Sequence, residues 1–291
     1  MAVRILSDFD GVWTDQGPEA DHIVRFAATE IARCAGLDPD VTHQRFLALA
    51  DETRLRPAQF GWAPQGRISA FVDEDPLLAT NSVLHLIELD ERPELVAWKQ
   101  ALLEDGFPSL GEFANHCFNT SGKAFRASHP PIMVEDTLAT FEALMAAGAE
   151  VFVVSNSQPT KVIPWLREMG VDAGDDESHR VRVYGDARKW WLSDAPESMQ
   201  VAGRTVFIDR PAYRRILETV EPDIIIGDVF SLDLALPHHL RREAAAGAPK
   251  RLVLRRNEHS PSWATEGRAD GAIDAVVEHP RGLLDVIDEL V

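Results

Sequence analysis

The sequence contains few cysteines and no long apolar segment. Its 291 residues include two cysteines, Cys34 and Cys117, which cannot form a disulfide framework and supply no Cys-x-x-Cys motif. No run of about 18 apolar residues is present that could span a membrane. The first apolar segment is too short for a signal peptide and leads straight into two aspartates. We therefore expect a cytoplasmic protein with two incidental thiols and no membrane partner.

Positive charge is also scarce, with 29 Lys and Arg residues against 47 Asp and Glu residues and a formal net charge of −18. The resulting negative field repels nucleic acids and anionic membranes, so we expect no nucleic-acid partner. The simplest interpretation of the acidity is solubility. A phosphorylated substrate would need a local positive site that acts against this field.

The most informative segment is the first apolar strand, which carries Asp8 and Asp10 out of its carboxyl end and is followed at once by Gly11. Residues i and i+2 of a strand point to the same side, so we expect the two carboxylates to lie together. Two like charges are costly to bury side by side, and a cation such as Mg²⁺, which prefers carboxylate oxygens, would remove that cost. The alternative interpretation is an ordinary Asp-Gly turn after a strand.

The rest of the chain shows two different hydrophobic patterns. Residues 18–128 show mostly helical periodicity, whereas after Pro130 and Pro131 apolar strands alternate with helices. The alternation predicts an α/β fold with a parallel sheet, interrupted after its first strand by a helical block. The predicted helices are Ile23–Ala35, Val41–Thr53, Leu77–Leu89, Pro93–Leu103, Glu135–Ala147, Val162–Met169, Ala212–Val220 and Gly282–Leu290, and the later strands are Val151–Val154, Val181–Tyr184, Thr205–Ile208, Ile224–Ile226 and Arg251–Leu254.

Polar side chains recur at the ends of three of these strands. In open α/β sheets, ligands bind beyond the carboxyl ends of the strands. Any one of the residues could be a turn or cap residue, but their coincidence in one chain predicts a functional site. They are Asp8 and Asp10 after the first strand, Ser155 and Asn156 after Val151–Val154, and Asp228, with Asp233 beyond it, after Ile224–Ile226.

These motifs resemble those of the haloacid dehalogenase superfamily, whose members are mostly phosphatases. The family's first motif, Asp-x-Asp-Gly-x-x-Thr, is matched by residues 8–14, and its second, a hydrophobic strand ending in Ser or Thr, by residues 151–155. Its fourth motif, an acidic pair, is matched by Asp228 and Asp233. The motifs occur here in the family's order.

The resemblance implies a Rossmann-like parallel-sheet core and an inserted, mainly α-helical cap domain. The core would comprise residues 1–14 and 130–291, and the cap residues 15–129. The cap would lie in the chain between the first and second motifs and would decide which substrate is accepted.

The resemblance also implies a reaction and a metal. Asp8 would be the nucleophile that forms an aspartyl-phosphate, and Asp10 would protonate the leaving oxygen and then activate water. Mg²⁺ would be held by Asp8, the backbone carbonyl of Asp10 and Asp228, with Asp233 supporting these ligands. The substrate would be a small phosphate ester.

Several groups could bind the phosphoryl oxygens. Ser155, Asn156 and nearby backbone N–H groups are candidates. The basic residue of the third motif could be Lys189 or Arg210: the family more often uses lysine, whereas Arg210 precedes a proline at a predicted helix start, just before the fourth motif. Both could contribute to neutralising the transferring group.

Other functions remain open. A phosphomutase would keep the same four motifs, and a phosphonatase would need a cap lysine such as Lys99 or Lys123. A dehalogenase would not need Asp10 as an acid. A non-catalytic binding protein on the same core is disfavoured because the three motif aspartates are intact. Magnesium-dependent turnover of an aryl phosphate would separate an enzyme from a binding protein.

Overall fold

The computed structural model describes residues 2–64, 66–194 and 197–290. The chain divides into two compact units. Unit 1 consists of Met1–Asp15 and Ile132–Val291, and unit 2 of Gln16–Pro131. Each unit has its own cluster of buried apolar side chains.

The elements follow one another along the chain as short strands and helices. The strands are β1 (Val3–Asp8), β2 (Gly61–Trp62), β3 (Ala70–Phe71), β4 (Ala149–Val154), β5 (Ala173–Gly174), β6 (Val181–Tyr184), β7 (Ser198–Val201), β8 (Arg204–Phe207), β9 (Ile224–Gly227), β10 (Arg251–Arg255) and β11 (Ala275–Val277). The helices are α1 (Gly17–Ala35), α2 (Pro39–Arg54), α3 (Leu78–Leu89), α4 (Pro93–Glu104), α5 (Leu110–Cys117), α6 (Lys123–Ser128), α7 (Thr137–Ala146), α8 (Pro159–Glu168), α9 (Pro211–Val220), α10 (Ala235–Arg242), α11 (Ser262–Thr265), α12 (Arg268–Gly271) and α13 (Leu283–Asp288).

The described residues of unit 1 form a seven-stranded parallel sheet in the order β11-β10-β9-β1-β4-β6-β5. Its central strands are apolar and buried, and every residue of β9 is buried. Such continuous apolar strands are typical of parallel sheets whose faces are both covered. The predicted Rossmann-like α/β fold is confirmed.

The strand predicted at Thr205–Ile208 is present as β8, but its expected place in the parallel sheet was wrong. β8 pairs with β7 in a separate antiparallel ribbon. Ala202 and Gly203 connect the two strands with φ of 48° and 75°, and two-residue turns with both φ values positive match the twist of a hairpin. The sequence pattern does not predict β5 and β11, because segments of two and three residues show no periodicity.

Unit 2 is mainly helical. Its helices α1 to α5 contribute to an apolar cluster that includes Phe46 and Val83. Local capping sets the helix bounds: Gly36 at φ 66° ends α1, and the Asp38 carboxylate accepts hydrogen bonds from two backbone N–H groups in the first turn of α2. None of the helices in the described parts of the chain is long and apolar enough to cross a membrane.

Candidate active site

The side chains singled out in the sequence follow neighbouring strands. β1 lies between β4 and β9, and Asp8 at its end pairs in register with Val154 at the end of β4. Because the strands are parallel, Asp8, Ser155 and Asp228 are carried to the same edge of the sheet. The cluster therefore arises from adjacent strand ends rather than from one continuous motif.

Three carboxylates lie together at this edge. Asp8, Asp228 and Asp233 each offer one oxygen, and these oxygens lie within 4.8 Å of one another. The three residues are at most 6% exposed. Burial raises the pKa of Asp8 well above its usual range, Lys189 acts against this, and the neighbouring carboxylate of Asp233 adds to it. A cluster of hard oxygen donors with this repulsion fits a divalent cation such as Mg²⁺.

Lys189 supplies a buried positive charge beside the carboxylates. Its Nζ lies 2.6 Å from Asp8 Oδ1 and 2.6 Å from Asp233 Oδ1, and the residue is 2% exposed. Burial by itself would lower the pKa of Lys189, but the two carboxylates outweigh it and raise the pKa above its usual range. The two carboxylates therefore favour the charged form of Lys189, whose ammonium group contacts Asp8.

Arg210 and Asn156 hold the backbone of Lys189. The buried guanidinium of Arg210 donates to the carbonyl oxygen of Lys189 and, at 3.1 Å, to that of Phe207. The side-chain oxygen of Asn156 accepts a hydrogen bond of 2.7 Å from the backbone N–H of Lys189. These contacts orient the loop that carries Lys189. Phosphate binding by Asn156 and Arg210 stays a prediction.

Asp10 is surrounded by three donors. The hydroxyls of Ser155 and Ser157 each donate to its Oδ2 at 2.8 Å, and Lys161 Nζ lies 2.6 Å from its Oδ1. Burial raises the pKa of Asp10, but Lys161 and the two hydroxyls outweigh burial and lower the pKa below its usual value. These donors favour the ionised form of Asp10, and the Ser155 hydroxyl, although buried at the site, is directed to Asp10.

Sequence reasoning missed Lys161 and Asn257, and it noted Ser157 after β4 without assigning it a role. Helix α8 begins at Pro159 rather than at Val162, which places Lys161 in its first turn. The sequence feature that could have identified Lys161 is a basic residue shortly after the polar residues that follow β4. Asn257 follows β10, a strand that the sequence predicts, but whose end it did not mark as functional. Reading the end of every strand would have found it.

Gly11 explains the close approach of two strand ends. It has φ of 80°, and a Cβ atom at this position would lie 1.9 Å from Asp228 Oδ2. Both the left-handed backbone and the contact exclude a side chain. The glycine after Asp10 therefore allows the turn after β1 to pack against the carboxylate after β9.

Comparisons with known proteins give matches among solved structures. No family model matches the chain, and no curated protein matches it. The chain is similar to a HAD phosphatase from Thermococcus onnurineus at 15% identity and a TM-score of 0.47, covering 99% of this chain and 98% of that one. It is also similar to a 2-haloacid dehalogenase from Pseudomonas syringae pv. Tomato DC3000 at 15% identity and a TM-score of 0.46, covering 100% of both chains.

A third similar structure is CbbY from Rhodobacter sphaeroides in complex with phosphate, at 14% identity and a TM-score of 0.42, covering 97% of this chain and 96% of that one. With identities of at most 15% and TM-scores below 0.5, these likenesses carry no functional argument.

Proposed function

We propose that this chain is a magnesium-dependent phosphatase of the haloacid dehalogenase superfamily that hydrolyses a small phosphate ester through an aspartyl-phosphate on Asp8. The observation that carries this proposal is the buried contact of Asp8 with Lys189, at 2.6 Å, beside the carboxylates of Asp228 and Asp233. A carboxylate held between a fixed cation and a set of metal donors has the surroundings that a nucleophile for phosphorus needs.

Asp8, Asp228 and the backbone carbonyl of Asp10 would hold the metal. Asp233 would support it indirectly, because its Oδ1 accepts from Lys189 and its Oδ2 accepts from the backbone N–H of Val229. When bound, Mg²⁺ would neutralise negative charge on Asp8 and on the phosphoryl group. Neutralising this charge would allow the Asp8 carboxylate to approach the anionic phosphate ester.

The chain's own residues would carry the covalent steps. An oxygen of Asp8 would form a bond to phosphorus as the bond to the leaving oxygen breaks, and Asp10, having taken up a proton, would give that proton to the leaving oxygen. Asp10 would then take a proton from water, whose oxygen attacks phosphorus and releases phosphate and Asp8. Ser155 would turn its hydroxyl from Asp10 to the phosphoryl group, and Lys189 would balance the charge.

Residues 15–129 are proposed as the cap that selects the substrate. The cap lysine Lys99 forms an ion pair of 2.6 Å with Glu88, which supports a structural role and disfavours Schiff-base formation by a phosphonatase. An intact Asp10 disfavours a dehalogenase.

The test is hydrolysis of p-nitrophenyl phosphate by the purified full-length chain. We expect turnover that EDTA abolishes and added Mg²⁺ restores, and full turnover in metal-free buffer would sink the mechanism. Asp10→Asn should accumulate one phosphoryl group on Asp8, visible by intact-mass spectrometry after mixing with substrate. Peptide mapping that finds the group elsewhere would exclude Asp8. A panel of phosphorylated metabolites would then identify the substrate class.

A further inference from the structure

The carboxyl end of β10 delivers a side-chain amide to the candidate metal site. Asn257 Nδ2 donates to the backbone oxygen of Gly11 at 3.1 Å and to Asp228 Oδ2 at 3.1 Å. An amide nitrogen carries two hydrogens, so it can satisfy both acceptors at once. One side chain thus joins the turn after β1 to the carboxylate after β9.

The position of Asn257 is itself fixed. Its backbone N–H donates to Ser260 Oγ at 2.7 Å, which closes a turn directly after the strand. Asp228 is 3% exposed and lies against Gly11, where the missing Cβ leaves room for its Oδ2. The carboxylate is therefore held between the Gly11 backbone and the Asn257 amide.

An ordinary turn asparagine would account for the backbone bond to Ser260 but not for the two side-chain contacts. A hydrogen bond to one oxygen of a carboxylate restricts its rotation and so determines how it is presented to a metal. The amide is neutral, so it orients Asp228 without cancelling the charge of the carboxylate.

We propose that Asn257 is a positioning residue for metal binding, which orients Asp228 through its amide. The inference rests on the proposed function, because Asp228 is a metal ligand only there. Groups that hydrogen-bond a metal ligand typically contribute about 10- to 100-fold to metal affinity. Asn257 should therefore affect Mg²⁺ binding more than it affects the chemical step.

The experiment is isothermal titration of Mg²⁺ into the full-length chain without substrate. Asn257→Ala removes the donor, and Asn257→Leu removes it while nearly keeping the side-chain volume. We expect both variants to bind Mg²⁺ about 10-fold more weakly, with the melting temperature nearly unchanged. The Mg²⁺ concentration that gives half-maximal turnover should rise by the same factor of about 10. Asn119→Ala, at an exposed position in unit 2, is the matched control and should bind as the parent does.

The outcomes separate the two proposals. If the parent chain binds no Mg²⁺, the proposed function fails. If the parent binds Mg²⁺ and both Asn257 variants bind it equally well, the positioning role is overturned while the proposed function stands. Loss of folding in both variants would make Asn257 a structural residue and would overturn the positioning role as well.

Discussion

The two units differ in where they place charge. Among the described residues of unit 1, six charged side chains are buried: Asp8, Lys189, Arg204, Arg210, Asp228 and Asp233. Among the described residues of unit 2, Glu74 is the only buried charged residue, and its carboxylate accepts a hydrogen bond of 2.9 Å from the backbone N–H of Phe71. Burying charge costs free energy unless each charge is paired. Four of the six, Asp8, Lys189, Asp228 and Asp233, lie together at one edge of the sheet, which supports locating the chemistry there.

The charges of unit 2 lie mostly at its surface. Arg33 pairs with Asp105 at 2.7 Å, Arg45 with Glu94 at 3.0 Å, and other arginines form similar pairs within the unit. Exposed pairs of this kind contribute little to stability because water screens them. Arginine is buried at two positions of unit 1, Arg204 and Arg210, whereas the described arginines of unit 2 are all half-buried or exposed.

The largest expected effect is that of Asp8→Asn. The amide is a poor nucleophile and a weaker metal ligand, so turnover of p-nitrophenyl phosphate should fall by about four orders of magnitude or more. The measurement is the initial rate at saturating Mg²⁺, with circular dichroism as the check on folding. Asp21→Asn, at an exposed position in unit 2, is the control. Parent-like turnover in the Asp8 variant would exclude this residue as the nucleophile.

Lys189→Met should rank second. It leaves two buried carboxylates without their cation, so the free energy of unfolding in metal-free buffer should fall by roughly 3–5 kcal/mol. Loss of a preorganised charge beside the nucleophile should lower kcat by about 10²–10³-fold. Chemical denaturation and steady-state kinetics would measure the two effects, with Lys250→Met on the surface as the control. An unchanged kcat would remove Lys189 from the reaction.

Lys161→Met should change the pH dependence rather than the limiting rate. Lys161 helps to hold the pKa of Asp10 below its usual value, so its removal should raise that pKa. If hydrolysis of the aspartyl-phosphate limits the rate, Asp10 must be ionised. As the pH is lowered, the variant should therefore lose activity at a higher pH than the parent does. Above both pKa values, the two proteins should differ little. A kcat profile that coincides with that of the parent between pH 4 and 7 (a range of about three pH units that brackets ordinary carboxyl titration) would contradict the prediction.

The smallest effect should come from the arginines of unit 2. Arg54 pairs with Asp51 at 3.2 Å, and Arg56 pairs with Glu52 at 3.0 Å and lies 5.0 Å from the centre of the Phe60 ring. Both variants should fold, because exposed ion pairs contribute little to stability. Arg54→Ala and Arg56→Ala should therefore leave kcat on p-nitrophenyl phosphate within about twofold. Substitutions in the proposed cap should act instead on KM for the physiological substrate. Loss of aryl phosphate turnover as complete as in Asp8→Asn, in a folded variant, would place catalytic residues in unit 2.

Much of the fold could be predicted because its signals are local. The apolar runs of β1, β4 and β9, each followed by polar residues, predicted the parallel sheet and the edge where Asp8, Ser155 and Asp228 gather. The ribbon of β7 and β8 could not be predicted in the same way, since an apolar strand in a hairpin and one in a parallel sheet look alike over four residues. The conformation of the turn at Ala202 and Gly203 decided between them.

By itself, the sequence determined which residues end the strands, since a buried strand must be apolar and its polar successors mark the edge. Only the tertiary structure decided whether Lys189 or Arg210 lies against Asp8. The course of the chain after β6 and after β8 depends on how elements distant in the sequence pack. The tertiary structure likewise decided that Asp10 faces Lys161 and that Asn257 reaches Asp228, at 2.6 Å and 3.1 Å. A local pattern can mark such residues as candidates, but contacts between residues far apart in the chain depend on how whole elements pack.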